Sequence, residues 1–179
     1  MLQCLSAEPA LLGHPSSRCQ LPRRALLGVS ASMLFMRSTL ASSGDYEAML
    51  INCIDPRFAA SSHAWMRAKH MQNQFSQFVI AGGPIGAMHP YFAAWHRAFW
   101  DNLDITTEFH AIKRVIAFTH RDCSAARLAF GAAGVATPAA ETANHAALLQ
   151  AFRTEVARRK PGLDVVAGIM ALDGSIEPV

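Results

Sequence analysis

Short apolar runs recur along the chain at intervals that leave room for a helix between them. Residues 48–51 read Ala-Met-Leu-Ile, and residues 115–118 read Val-Ile-Ala-Phe and lead into Thr119 and His120. Runs without polar alternation mark strands buried on both faces. A third strand is expected over 75–81, where Phe75, Phe78, Val79 and Ile80 precede Gly82-Gly83-Pro84, and a fourth over 163–170. After that, Leu172-Asp173-Gly174-Ser175-Ile176 predicts a hairpin-like turn and a short edge piece.

The intervening segments carry helical periodicity. Ser61 or Ser62 is a candidate cap for a helix reaching about residue 74. Residues 90–106 place Phe92, Trp95, Phe99 and Leu103 on one stripe. Another helix starts at Ser124, and residues 131–138, rich in glycine and alanine, are expected to be loop. Residues 142–160 put Ala146, Leu149, Phe152 and Val156 on one face, with Arg158-Arg159-Lys160 favourable at the C-terminal end before Pro161-Gly162. Strands alternating with helices predict an α/β fold, a single domain with a mainly parallel central sheet flanked by helices.

Composition agrees with one folded domain, since 179 residues with 51% hydrophobic and 16% charged side chains suffice for one core and not for two. The formal net charge of +3 disappears from the body when it is divided along the chain. Arg18, Arg23, Arg24 and Arg37, against Glu8, place the whole excess before residue 42. The remaining sequence is balanced, which removes the electrostatic case for nucleic acid binding.

Residues 1–43 form a separate leader. Arg23-Arg24 precede an apolar run ending at Met36, then Arg37 and a small-residue segment, the pattern of a twin-arginine export signal. From Ala25 the run is about a dozen residues, short of the roughly 20 a membrane-spanning helix needs. The expectation is therefore a periplasmic or otherwise exported protein, with no integral membrane segment. The alternative is a cytoplasmic protein whose N-terminus is amphipathic or disordered.

The chemistry gathers at strand ends. Cys53-Ile54-Asp55-Pro56-Arg57 follows the first strand, and His120-Arg121-Asp122-Cys123 follows the third buried one. Cys53, His120 and Cys123 supply thiolate sulfur and imidazole nitrogen, a donor set suited to tetrahedral zinc with one position left for water or substrate. Asp55 either occupies that position or accepts a hydrogen bond there, and Arg57 is placed to hold its carboxylate bidentately. The bland reading of the two cysteines is a single disulfide. Gly82 and Gly83, also at a strand end, let backbone approach a small site and are taken as pocket-lining. His89 and His96 are left outside the metal set, because a histidine beside an apolar stripe is more often a core residue.

The paired segments, C-x-D-x-R and H-x-x-C, resemble those of the β-class carbonic anhydrases over about residues 46–179, so residues 44–179 are read as a zinc-binding β-carbonic-anhydrase-like domain. The resemblance implies a zinc enzyme that reversibly hydrates carbon dioxide to bicarbonate by a zinc-bound hydroxide, with Asp55 and Arg57 catalytic. It also implies a homodimer or higher homo-oligomer. The chain departs from the family pattern at Gly83, where an asparagine is usual, at Pro56, where a small residue is usual, and at Ser124, where glycine is usual. Those departures keep two alternatives open: hydrolysis of carbonyl sulfide or carbon disulfide on the same site, and a non-catalytic zinc protein closed by Asp55.

Overall fold

The computed structural model describes residues 44–179. The leader, 1–43, and the export signal read in it lie outside the described residues. Along the rest of the chain run β1 (Ala48–Asn52), α1 (Ala59–Ala68), β2 (Phe75–Val79), α2 (Pro84–Met88), α3 (Ala93–His110) and β3 (Arg114–His120). After them come α4 (Ser124–Gly134), α5 (Pro138–Arg159), β4 (Asp164–Met170) and β5 (Ile176–Pro178).

The strands make one sheet in the order β2-β1-β3-β4-β5, parallel except for β5, which pairs antiparallel with β4. This is the expected α/β architecture. Its centre explains the uninterrupted apolar runs. Met49, Ile51, Val115 and Ala117 face Phe99, Trp100 and Leu103 of α3 and Leu149, Phe152 and Val156 of α5. Ala48, Leu50, Ile116 and Phe118 point the other way, onto Phe58 and Met66. Each fully buried large side chain contributes about 1.5–3 kcal/mol, and both faces of β1 and β3 collect it. β2 lies at the edge, which is why it tolerates Ser76 and Gln77.

Chain order reverses at β1. The chain leaves β1 through α1 to reach β2 on one side, then returns through α2 and α3 to β3 on the other side. The loops following β1 and β3 therefore diverge and leave a crevice at the strand ends, where open α/β sheets bind ligands.

Several element limits and one buried position differ from the periodicity. α1 begins at Ala59, directly out of a 3₁₀ turn over Pro56–Phe58, and Ser62 lies inside it, accepting from Asn52 Nδ2 at 3.3 Å. It also ends early. His70 adopts φ 59°, its N–H bonds the Arg67 carbonyl, and Met71 N–H reaches back to the Met66 carbonyl at 2.9 Å. That is a Schellman stop built without glycine. In α3 the buried aromatic beside Phe99 is Trp100; Trp95 is 37% exposed and stacks on Phe92 instead. The start of the segment read as loop is helical as far as Gly134, across a kink at Gly131, whose φ is 75°.

α5 starts at Pro138, four residues before the periodicity suggests, because Thr137 caps it through the Ala140 N–H at 3.2 Å. The added turn buries Glu141, and with it His145 lies fully buried on the same face as Leu149 and Phe152. Neither ring nitrogen of His145 has a hydrogen-bond partner, and its ring meets Phe130 at 5.8 Å.

Burial pushes the His145 imidazole down to about 4. Between about pH 6.5 and 4 the unfolded chain binds a proton here that the folded chain does not. Stability should thus fall as pH falls through that window, by up to about 1.4 kcal/mol per pH unit. Urea denaturation at pH 7 and pH 5 is expected to show a smaller pH difference for His145→Leu than for the unaltered protein. Equal differences would contradict this reading.

Candidate metal centre

β1 and β3 are adjacent and parallel, in a register pairing Ile51 with Ala117, so their C-terminal ends deliver Cys53 and His120 to one place. Cys123 follows three residues after His120, as the N-cap of α4. One ligand atom from each of the three meets the others within 4.8 Å, and all three residues are buried. Among the described residues, this is the group of histidine, cysteine and carboxylate side chains gathered tightly enough to hold a metal ion. Both cysteines are free thiols, so the disulfide reading is not what the structure shows.

The donor set passes a direct test of fit to zinc. His120 Nδ1 lies 2.8 Å from the Arg121 carbonyl oxygen, which only accepts, so the proton sits on Nδ1 and Nε2 carries the lone pair. Nε2 is buried and has no partner, an arrangement that is costly unless a cation takes it. Phe58 stacks on the ring at 4.1 Å between centroids and fixes its plane.

One of the two sulfurs is prepared as an anion, with the other as its proton donor. Cys53 is drawn well below its ordinary value, first by the neighbouring Cys123 thiol and then by His120 and the Asp55 and Gly82 amides, against the opposing effect of burial. The Gly82 N–H donates to Cys53 Sγ at 3.2 Å. Cys123 is pushed up, first by its hydrogen bond to Cys53, then by burial and the Cys53 charge, while the Ala125 and Ala126 amides of α4 work in the opposite direction. Removing the proton from the second sulfur this close to the first demands a positive charge between them.

Around the triangle stand the other expected residues. Arg57 grips Asp55 as a fork, Nε reaching Oδ1 at 3.1 Å and Nη2 reaching Oδ2 at 2.8 Å. Asp55 also caps the 3₁₀ turn, accepting from the Arg57 N–H at 3.0 Å. Its carboxylate belongs to this pair and not to the tight cluster of ligand atoms. Gly82 and Gly83 hold φ of 76° and 55°. A Cβ on Gly83 would fall 2.9 Å from the Phe118 carbonyl oxygen and 3.0 Å from the Asn52 carbonyl carbon, so the glycine is required by backbone approach. The cleft itself, about 280 Å³, is lined by Ile54, Asp55, Pro56, Ala81, Ser124 and Ala125 with the two cysteines. Ala81, next to the glycine pair, supplies its wall on that side.

His96 and His89 lie apart, bonded to each other through His96 Nε2 and the His89 carbonyl at 2.9 Å. Sequence reasoning gave no role to Asp122, whose carboxylate takes Arg57 Nη1 at 2.8 Å, or to Glu141. Asp122 sits inside the H-x-x-C segment, but a carboxylate in a turn has no sequence signature for its partner. Glu141 comes from a helix nearly 20 positions on.

A family described as putative carbonic anhydrase matches residues 44–179. An uncharacterized protein of Rickettsia conorii is 27% identical over 140 residues, covering 78% of this chain and 75% of its own. One of Rickettsia bellii is 25% identical over 140 residues, covering 78% and 85%. Among solved structures, that of the beta-carbonic anhydrase CcaA aligns with a TM-score of 0.50 at 14% identity, over 76% of this chain and 79% of the other, a likeness of fold.

The Arg57 fork holds the Asp55 carboxyl down to about 2. The charged pair is thus complete above the ordinary carboxylate range near 4 and is lost only as pH falls through about 2. Carboxyl carbon NMR of the protein is expected to show Asp55 still ionised at pH 3, and Arg57→Ala to move its midpoint up toward about 4. An unchanged midpoint in Arg57→Ala would remove Arg57 as the cause.

Proposed function

Because the chain belongs to the putative carbonic anhydrase family across residues 44–179, we propose that it is a zinc lyase that reversibly hydrates carbon dioxide to bicarbonate. The observation that carries this reading is the division of labour at the crevice. Three buried donors converge within 4.8 Å, while the carboxylate that lines the cleft, Asp55, is engaged by Arg57 and is not among the converging atoms, which supports a fourth position left to solvent. A closed, purely structural site would have Asp55 among the converging atoms.

Cys53, Cys123 and His120 Nε2 would hold the ion, which when bound supplies a Lewis acid that lowers the pKa of a water toward neutrality. Asp55, kept ionised by Arg57, would accept a hydrogen bond from a water at the cleft and so orient it. Arg57 keeps the carboxylate in that orientation. Ile54, Pro56, Ala81 and Ala125 give the cleft an apolar lining, which suits a small, uncharged, linear substrate and favours departure of a charged product to water. One oxygen of water is added to carbon, and one proton leaves to solvent.

The two thiolates also set the pH dependence. They place more negative charge beside the nucleophile than three neutral imidazoles do, so the water loses its proton at higher pH and activity rises toward alkaline conditions. Among the described residues no helix is long and apolar enough to cross a membrane. Export through residues 1–43 is part of the same proposal, resting on Arg23-Arg24 ahead of the short apolar run.

Purified protein lacking residues 1–43 should contain about one zinc per chain, and stopped-flow hydration of carbon dioxide should accelerate with rising pH. Cys123→Ser should lose both metal and turnover. Zinc without hydration at any pH would overturn the proposed activity, and turnover of carbonyl sulfide in its place would redirect it. Replacing Arg23 and Arg24 by lysine should retain the chain in the cytoplasm; unaltered export would refute the twin-arginine reading.

A further inference from the structure

The Arg57 guanidinium has a second anchor that the reaction as described does not use. Nη1 bonds Asp122 Oδ2 at 2.8 Å and Nη2 bonds the Asp122 carbonyl oxygen at 3.1 Å, while Nε and Nη2 hold Asp55. Arg57 is half exposed, and a long side chain in that position gives up rotamer entropy to hold any fixed geometry. Two carboxylates and a carbonyl around one fork divide that cost.

Asp122 is itself held in place from elsewhere in the fold. Its φ is 57°, a left-handed conformation that a non-glycine residue adopts at some expense. Its N–H donates to Glu141 Oε1 at 2.9 Å. Glu141, buried on α5, accepts through its other oxygen from Arg121 Nη1 at 3.2 Å, and Arg121 pairs with Glu177 of β5. The order of contacts runs from β5 and α5, through the loop carrying two of the three metal donors, to Arg57 and finally Asp55.

Building on the metal reading above, we propose that Asp122, held by Glu141, is a positioning residue that keeps Arg57 ready to receive Asp55 and thereby keeps the fourth metal position open. Asp55 has two competing partners, the guanidinium and the cation. A prepared guanidinium wins that competition; a disordered one requires Asp55 to bear the cost of ordering it. Removing the Asp122 carboxylate shifts the population of Asp55 toward the metal. The brace, Asp122, does not line the cleft but adjoins Cys123 in the chain, so the test must separate its effect through Arg57 from a displacement of that donor.

The test replaces the native metal by cobalt(II) in the full chain and titrates azide, following the visible absorption bands that report coordination. In Asp122→Ala azide should bind about tenfold more weakly than in the unaltered protein, the scale of one charge-assisted hydrogen bond. Asp122→Asn, which tolerates the left-handed backbone and keeps an oxygen toward Nη1, should lose less, and it carries the test if the alanine variant does not fold. Adding Asp55→Ala to Asp122→Ala should restore azide affinity, because the competing ligand is gone; a merely structural role for Asp122 predicts no such rescue. Native azide affinity in Asp122→Ala, or a double variant as weak as the single, would overturn the brace. The readout is independent of turnover, so absence of carbon dioxide hydration leaves it standing. Failure to take up cobalt would overturn the metal reading and the brace together.

Discussion

The parallel pairing of β1 with β3 is the constraint on which the rest of the site depends. A parallel register brings two strand ends to the same edge of the sheet, and the reversal of chain order at β1 leaves that edge free of a covering connection. Cys53 and His120 meet there although 67 positions separate them in the chain. Both strands are buried on both faces, so neither can slip by a residue without turning its apolar side chains into the wrong core. The rigidity of the donor triangle is thus borrowed from the hydrophobic sheet beneath it.

Electrostatics shapes what sits on that platform. Two thiols buried at close quarters repel one another once ionised, and the fold meets this with backbone donors. Gly82 approaches Cys53 through a left-handed turn that a side chain would obstruct, and the first turn of α4 presents its free amides to Cys123. His120 is fixed in one tautomer by a single carbonyl and in one plane by Phe58. The backbone partly compensates the anionic sulfurs, and the lone pair of His120 Nε2 completes a site that favours a cation.

Outside the triangle, charge is arranged in alternation: Asp55, Arg57, Asp122, then Glu141, Arg121 and Glu177. Isolated surface pairs contribute little, but here each side chain already ordered lowers the entropic cost of the next. The series also joins β5 and α5, late in the chain, to the loop after β1. The Asp55 carboxylate is consequently held, through Arg57, by elements that do not line the cleft.

Much of the architecture and the donor set was legible from the residues themselves. Buried strands announce themselves by unbroken apolar runs, and cysteine and histidine at two strand ends carry their chemistry wherever the chain places them, because side-chain type and local spacing are properties of the sequence. Helix limits were less legible, since Thr137 capping, the Gly131 kink and the glycine-free stop at His70 depend on backbone contacts made after folding. The exchange of Trp95 for Trp100 in the core, the burial of His145, and the roles of Asp122 and Glu141 were decided by tertiary structure alone. Each is fixed by neighbours from distant segments, and no periodicity within a helix or a turn records which distant segment will arrive.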